Sequence, residues 1–134
     1  MSTVAIRAAF EKRLALMPAL ATAYENVDFV PVTNTPYQRV NLLPAMPDNQ
    51  VMGEGFYQEL GLFQVTLCYP QNKGANAAQA RAELVKTHFK RNTTMLEGSL
   101  RVQVTKTPTV SPAFSDGDRY IVPISIYYIV DIYL

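Results

Sequence analysis

The chain has 134 residues, enough for one domain and too few for two ordinary ones. Its formal net charge is +1. The largest basic clusters are the pairs Lys12-Arg13 and Lys90-Arg91, which leaves no electrostatic footing for sequence-independent nucleic-acid binding or for polybasic membrane attachment. One cysteine, Cys68, excludes an internal disulfide framework and fits a reducing cytosol, while 49% apolar and only 17% charged residues suit a domain that covers part of its surface with a partner.

The chain opens with a predicted helix from Ser2 to Met17, capped by Ser2 or Thr3. Ile6, Ala9, Phe10, Leu14 and Met17 fall at helical spacing on one face, and Arg7 and Glu11 form an i,i+4 pair on another. Its charges at Arg7, Glu11, Lys12 and Arg13 are incompatible with a signal peptide. Pro18 disfavours helical geometry at Met17 and ends the helix or kinks it. Ala19–Tyr24 reads as a short extra turn, and Asn26–Pro36 as extended chain punctuated by Pro31 and Pro36.

A strand over Tyr37–Leu43 follows, in which Val40 and Leu42 alternate with Gln38, Arg39 and Asn41. Ala45–Phe56 is a long loop holding Asn49, Gly53 and Gly55, and loops of that length in small domains are usually functional or disordered. Tyr57–Tyr69 is the clearest strand, with Phe63, Val65, Leu67 and Tyr69 on one face and Gln64, Thr66 and Cys68 on the other. After a turn over Pro70–Gly74, Asn76 caps a second predicted helix to Phe89. Its stripe is Ala78, Ala82, Val85 and Phe89, flanked by Leu84.

Asn92–Gly98 reads as a connection. Leu100, Val102 and Val104 then mark a strand, Pro108–Phe114 an edge segment, and Asp116-Gly117 a hairpin turn. The final strand runs from Arg119 to Tyr133, with Tyr120, Val122, Ile124, Ile126, Tyr128, Val130 and Ile132 on one face. Pro123 suggests a bulge or an edge position near its start. Tyr127, Ile129 and Tyr133 on the opposite face suggest burial on both sides near the C-terminus. Tyr120–Leu134 is too short and too interrupted by Pro123, Ser125 and Asp131 to cross a bilayer as a helix.

The order is α-β-β-α-β-β-β. It implies a single α+β domain over residues 1–134, with a mainly antiparallel (mixed) sheet of four to five strands and two helices packed on one face. A soluble, intracellular protein is expected.

No constellation supports an enzyme. His88, the sole histidine, sits beside Lys86 and Lys90 at a helix C-terminus and reads as a capping or surface residue. Cys68 lies mid-strand without an electropositive setting and reads as an inert, buried thiol. Asp116-Gly117-Asp118 lacks the remaining ligands of a calcium loop, and one Cys with one His cannot supply a structural zinc site. Met52-Gly53-Glu54-Gly55 lacks both the spacing and the following helix of a phosphate loop. No catalytic, cofactor-binding or metal-binding residue is therefore assigned. The partner-contact candidates are Met46, Val51, Met52 and Phe56, apolar residues on the long loop, which otherwise folds back on its own domain.

An ordered set of segments carries a family resemblance. It comprises Pro18–Tyr24, then Thr35-Pro36-Tyr37-Gln38-Arg39-Val40-Asn41-Leu42-Leu43-Pro44-Ala45, then Gly55–Val65 with Tyr69-Pro70, and finally Asp116-Gly117-Asp118-Arg119-Tyr120-Ile121-Val122-Pro123-Ile124. Together they resemble a phage-related family of small proteins from the tail modules of long-tailed phages and prophages, similar in size and element order to siphophage tail-terminator (tail-completion) proteins. The resemblance implies a homo-hexameric ring in the virion, assembled in the host bacterial cytoplasm. It would cap the head-proximal end of the tail tube, contacting the major tail tube protein on one side and a head-completion (neck) connector protein on the other. No cofactor, no sequence-specific nucleic acid and no membrane contact is implied. A different neck or head-completion connector, or a small ligand-binding or accessory prophage protein, are the alternatives.

Overall fold

The computed structural model describes residues 2–45 and 56–133. Among these residues, two helices, α1 (Ser2–Leu14) and α2 (Asn76–His88), accompany eight strands: β1 (Ala21–Ala23), β2 (Tyr37–Pro44), β3 (Phe56–Pro70), β4 (Thr94–Glu97), β5 (Leu100–Val104), β6 (Thr109–Val110), β7 (Phe114–Asp116) and β8 (Arg119–Tyr133). The fold is α+β, and the sheet is larger than the four to five strands expected. All eight strands form one sheet along the path β1-β2-β3-β8-β5-β4, with β6 and β7 also bonded to β8. Every pair is antiparallel except β1–β2.

The spine is the β3–β8 pair, in unbroken register from Phe56↔Tyr133 to Pro70↔Arg119. Both strands have the period-2 apolar pattern that a pleat requires. Phe63, Val65 and Leu67 of β3 and Val122, Ile124, Ile126, Tyr128 and Val130 of β8 are buried in one core. Ile6, Ala9, Phe10 and Leu14 of α1 join that core, as do Ala78, Ala82 and Val85 of α2. Phe10 stacks on Phe63 (centroids 4.7 Å apart) and meets Tyr128 edge-on at 5.5 Å. Burial, reinforced by the nearby Glu59 charge, pushes the Tyr128 pKa up to about 12.

Several expectations are corrected. The helix ends at Leu14, and tightened i→i−3 bonds (Leu16 to Arg13, Met17 to Leu14) close it ahead of Pro18. Ala21–Ala23 forms the parallel edge strand β1, where a turn was expected. Thr94–Glu97 is the strand β4, which pairs with β5. Residues 26–36 are turned, with bonds from Val27 N–H to Tyr24 O and from Thr35 N–H to Val32 O. Asn26 and Asn34 take the positive φ (56° and 61°) that asparagine tolerates. Asn76 is the first helical residue of α2 and does not cap it; Ala75 holds the cap position without a side-chain bond.

Pro123 causes neither a bulge nor an edge, since it pairs with Thr66 in register. Its carbonyl accepts from Ser111 N–H, so its missing N–H points away from β3, toward the short strands, and costs the main ladder nothing. The hairpin falls where Asp116-Gly117 signalled it, with Gly117 at φ 63° linking β7 to β8.

Glu25 shields the open edge of the sheet. β1 pairs with β2 only as far as Ala23↔Arg39. Beyond it, the Glu25 carboxylate accepts from Leu42 N–H (2.6 Å) and from Arg7 of α1 (2.6 Å). Burial raises the Glu25 pKa, but the Leu42 and Arg7 interactions outweigh it and hold the group below its ordinary 4.5. A depressed folded pKa stabilises the fold above the unfolded value, and that contribution is lost as pH falls through the folded value. Glu25→Gln is therefore expected to shallow the acid limb of the stability curve below pH 4.5. Superimposable acid limbs for wild type and variant would contradict this.

Candidate functional site

The chemistry-bearing residues are absorbed by structure. The Cys68 thiol is buried on the sheet face turned away from the main core, packed with Ala23, Tyr37 and Ile121. Burial raises its pKa, outweighing the hydrogen bond with Tyr37 that lowers it. Such a thiol is a poor nucleophile at neutral pH.

His88 Nε2 lies 2.7 Å from Arg13 O; a carbonyl only accepts, so this ring nitrogen carries the proton. Arg13 returns two bonds to His88 O, at 3.1 and 2.9 Å. The pair ties the ends of α1 and α2 together. Among the described residues no group of three or more His, Cys, Asp or Glu is placed to hold a metal ion, and no helix is long and apolar enough to cross a membrane.

Sequence reasoning missed one polar cluster. Arg81, on α2 between Ala78 and Ala82, is buried. It donates to Pro18 O at 2.8 Å and, more weakly, to Gln38 Oε1 at 3.4 Å. Gln38 Nε2 donates on to Thr22 Oγ1 at 3.0 Å. This chain fixes the α1–β1 connection against α2 and β2. The signal for Gln38 was its parity with Val40 and Leu42; Arg81 gave none.

What remains is surface. Of the partner-contact candidates, Met46, Val51 and Met52 lie outside the described residues. Phe56 opens β3 opposite Tyr133, and its side chain is also outside them. β2 leaves its pairing with β3 at Pro44↔Gly61, while β3 and β8 continue as far as Phe56↔Tyr133. Gly61 of β3, which lies between β2 and β8, leaves room that a side chain would not, because a Cβ there would stand 2.6 Å from Leu43 O and 2.7 Å from the Tyr128 hydroxyl.

The sheet face turned away from the core divides into two halves. At the β8 start, the segment 24–36 lies over Tyr37, Cys68 and Ile121. It is held by Phe29 against the Tyr37 ring (5.0 Å) and by buried Arg119, which donates to Thr35 O and Val32 O and lies over Tyr37. At the other end, Leu43, Leu62 and Tyr127 line an apolar groove with Leu60 and Ala45, and Lys106 sits 4.7 Å from the Tyr127 ring centroid. Leu62↔Tyr127 and Leu60↔Ile129 are direct cross-strand pairs. Leu43 is 47% exposed, and Leu60, Leu62, Tyr127 and Ile129 are half-buried. These side chains leave partly exposed apolar area on the sheet face that bears Tyr37, Cys68 and Ile121.

Comparison with known proteins gives the context. A family model described as phage tail terminator protein matches residues 5–128. One similar solved structure superposes with a TM-score of 0.81 at 34% identity, covering 100% of this chain and 99% of the other. No curated protein matches.

Proposed function

We propose, from the premise that this chain belongs to the phage tail terminator protein family, that it is the subunit of a closed ring that ends a long tail tube on the side facing the head. The family makes it a structural component of a phage virion. The finer reading is a homo-hexamer that meets the major tail tube protein with one face and a head-completion connector with the other. The observation that supports it is the divided sheet face, with a fixed turn at one end and an apolar groove at the other.

The mechanism is geometric. A subunit with two different contact surfaces assembles head to tail, and such a contact closes into a ring when its rotation divides a full turn. A ring can match the tube on one face and present a different surface on the other. Growth then stops because the new end no longer offers what a further tube subunit binds. No bond is made or broken, so the residues that matter are contact residues.

Deleting the gene from a phage that carries it tests this directly. The expected particles are heads separated from tails, with tubes of uncontrolled length, and supplying the protein in trans restores joining. Normal virions from the deletion would refute the proposal.

A further inference from the structure

We infer that the groove formed by Leu43, Leu62 and Tyr127 receives the Val27–Val32 turn of a second copy of this chain. This rests on the ring reading above and names the contact that builds the ring.

The turn is built as an inserting element. Val27, Val30 and Val32 are 61%, 85% and 65% exposed, three bare β-branched side chains in an 11-residue loop whose Phe29 packs on its own domain. The loop is also pre-organised. Arg119, itself only 7% exposed, bonds two of its carbonyls, and Asn26 and Asn34 set its two turns. A fixed loop loses little further entropy on docking.

Charge selects the occupant. Asp28 is the single charged residue of positions 26–36. Among the described residues, Lys106 is the single charged one lining the groove. An apolar insert with one carboxylate thus meets an apolar groove with one ammonium, a complementarity that orients docking and disfavours other registers.

Position explains why the occupant is another copy. The turn lies over Ile121 and the groove over Tyr127, six residues apart along β8, or about 20 Å at the rise of an extended strand. The turn is pinned at its own end and cannot reach its own groove. Two complementary patches at different places on one subunit give a heterologous contact, which propagates and closes or forms a filament.

The test uses the full chain in a Cys68→Ala background. Val30→Cys with Leu43→Cys is expected to give an oxidation-dependent ladder of cross-linked subunits, and neither single variant should. Val30→Asp, at an exposed position that the fold does not need, is expected to weaken self-association by roughly 30-fold or more, the effect of losing a central interface anchor. Asp28→Lys and Lys106→Glu should each weaken assembly, and the double reversal should restore it.

A wild-type ring that persists in Val30→Asp and yields no cross-link would overturn this contact while leaving the ring itself standing. A wild type that neither self-assembles nor multimerises on tube ends would overturn both.

Discussion

Phe10→Ala is expected to destabilise the fold by about 3–5 kcal/mol, the range for truncating a buried phenylalanine. Phe10 is fully buried and is the hub of an aromatic cluster. It stacks on Phe63 at 4.7 Å with an 11° interplanar angle, faces Phe89 at 6.0 Å and meets Tyr128 at 5.5 Å. These partners come from β3, the end of α2 and β8, so one ring ties α1 to three other parts of the chain. The cavity cannot collapse readily, because β3 and β8 are locked in a continuous ladder beneath it. Natural domains are stable by only about 5–15 kcal/mol, so the variant should lose much of its margin. Denaturant unfolding measures this directly. Phe10→Leu, which keeps more volume, should cost less, and a loss below about 1 kcal/mol for Phe10→Ala would contradict the packing account.

Arg119→Ala is expected to cost about 1.5–3 kcal/mol, the scale of hydrogen bonds to a charged group, and to release the segment 24–36. The guanidinium is buried at the start of β8. It donates to Thr35 O and Val32 O and lies 5.0 Å from the Tyr37 ring centroid. Arg119→Lys should not rescue it, since an ammonium cannot reproduce the planar fork that reaches two carbonyls and stacks on a ring. Limited proteolysis distinguishes this from general destabilisation, because cleavage should concentrate in residues 26–36 at temperatures where the rest stays folded. Uniform digestion, or none, would contradict the clamp. If the turn is the inserting element, assembly should weaken in the same variant.

Much of the fold was legible because it follows from long periodic patterns. β3 and β8 each carry an alternation long enough to be unambiguous, and all five residues of the first predicted stripe, Ile6, Ala9, Phe10, Leu14 and Met17, are buried, although the helix itself ends at Leu14. The Ala78, Ala82, Val85 and Phe89 stripe of α2 is buried as well. The short strands were hidden for the complementary reason. β1 has three residues and β6 two, too few to show a period, and they exist because a longer strand offers an edge. Thr94–Glu97 falls in a stretch that reads as a connection until β5 is placed beside it.

The proposed contact surface was partly visible. Tyr127 and Ile129, on the second face of β8, already implied apolar surface on both sides of that strand. Val27, Val30 and Val32 read as ordinary extended chain. Only the tertiary clamp, Arg119 from 87 residues away in sequence, shows that the segment is folded back with those valines outward. The candidates on the long loop, Met46, Val51 and Met52, lie outside the described residues, and the groove lined by Leu43, Leu62 and Tyr127 is the contact surface proposed instead.

The central claim is a closed ring of identical subunits. Light scattering on the purified protein, alone and with tail tubes, combined with imaging, tests it most directly. The account predicts a discrete species of roughly six times the 15.0 kDa chain mass, seen as a ring with a lumen, free or seated on tube ends. A 15.0 kDa monomer that persists at high concentration and leaves tube ends bare would contradict it.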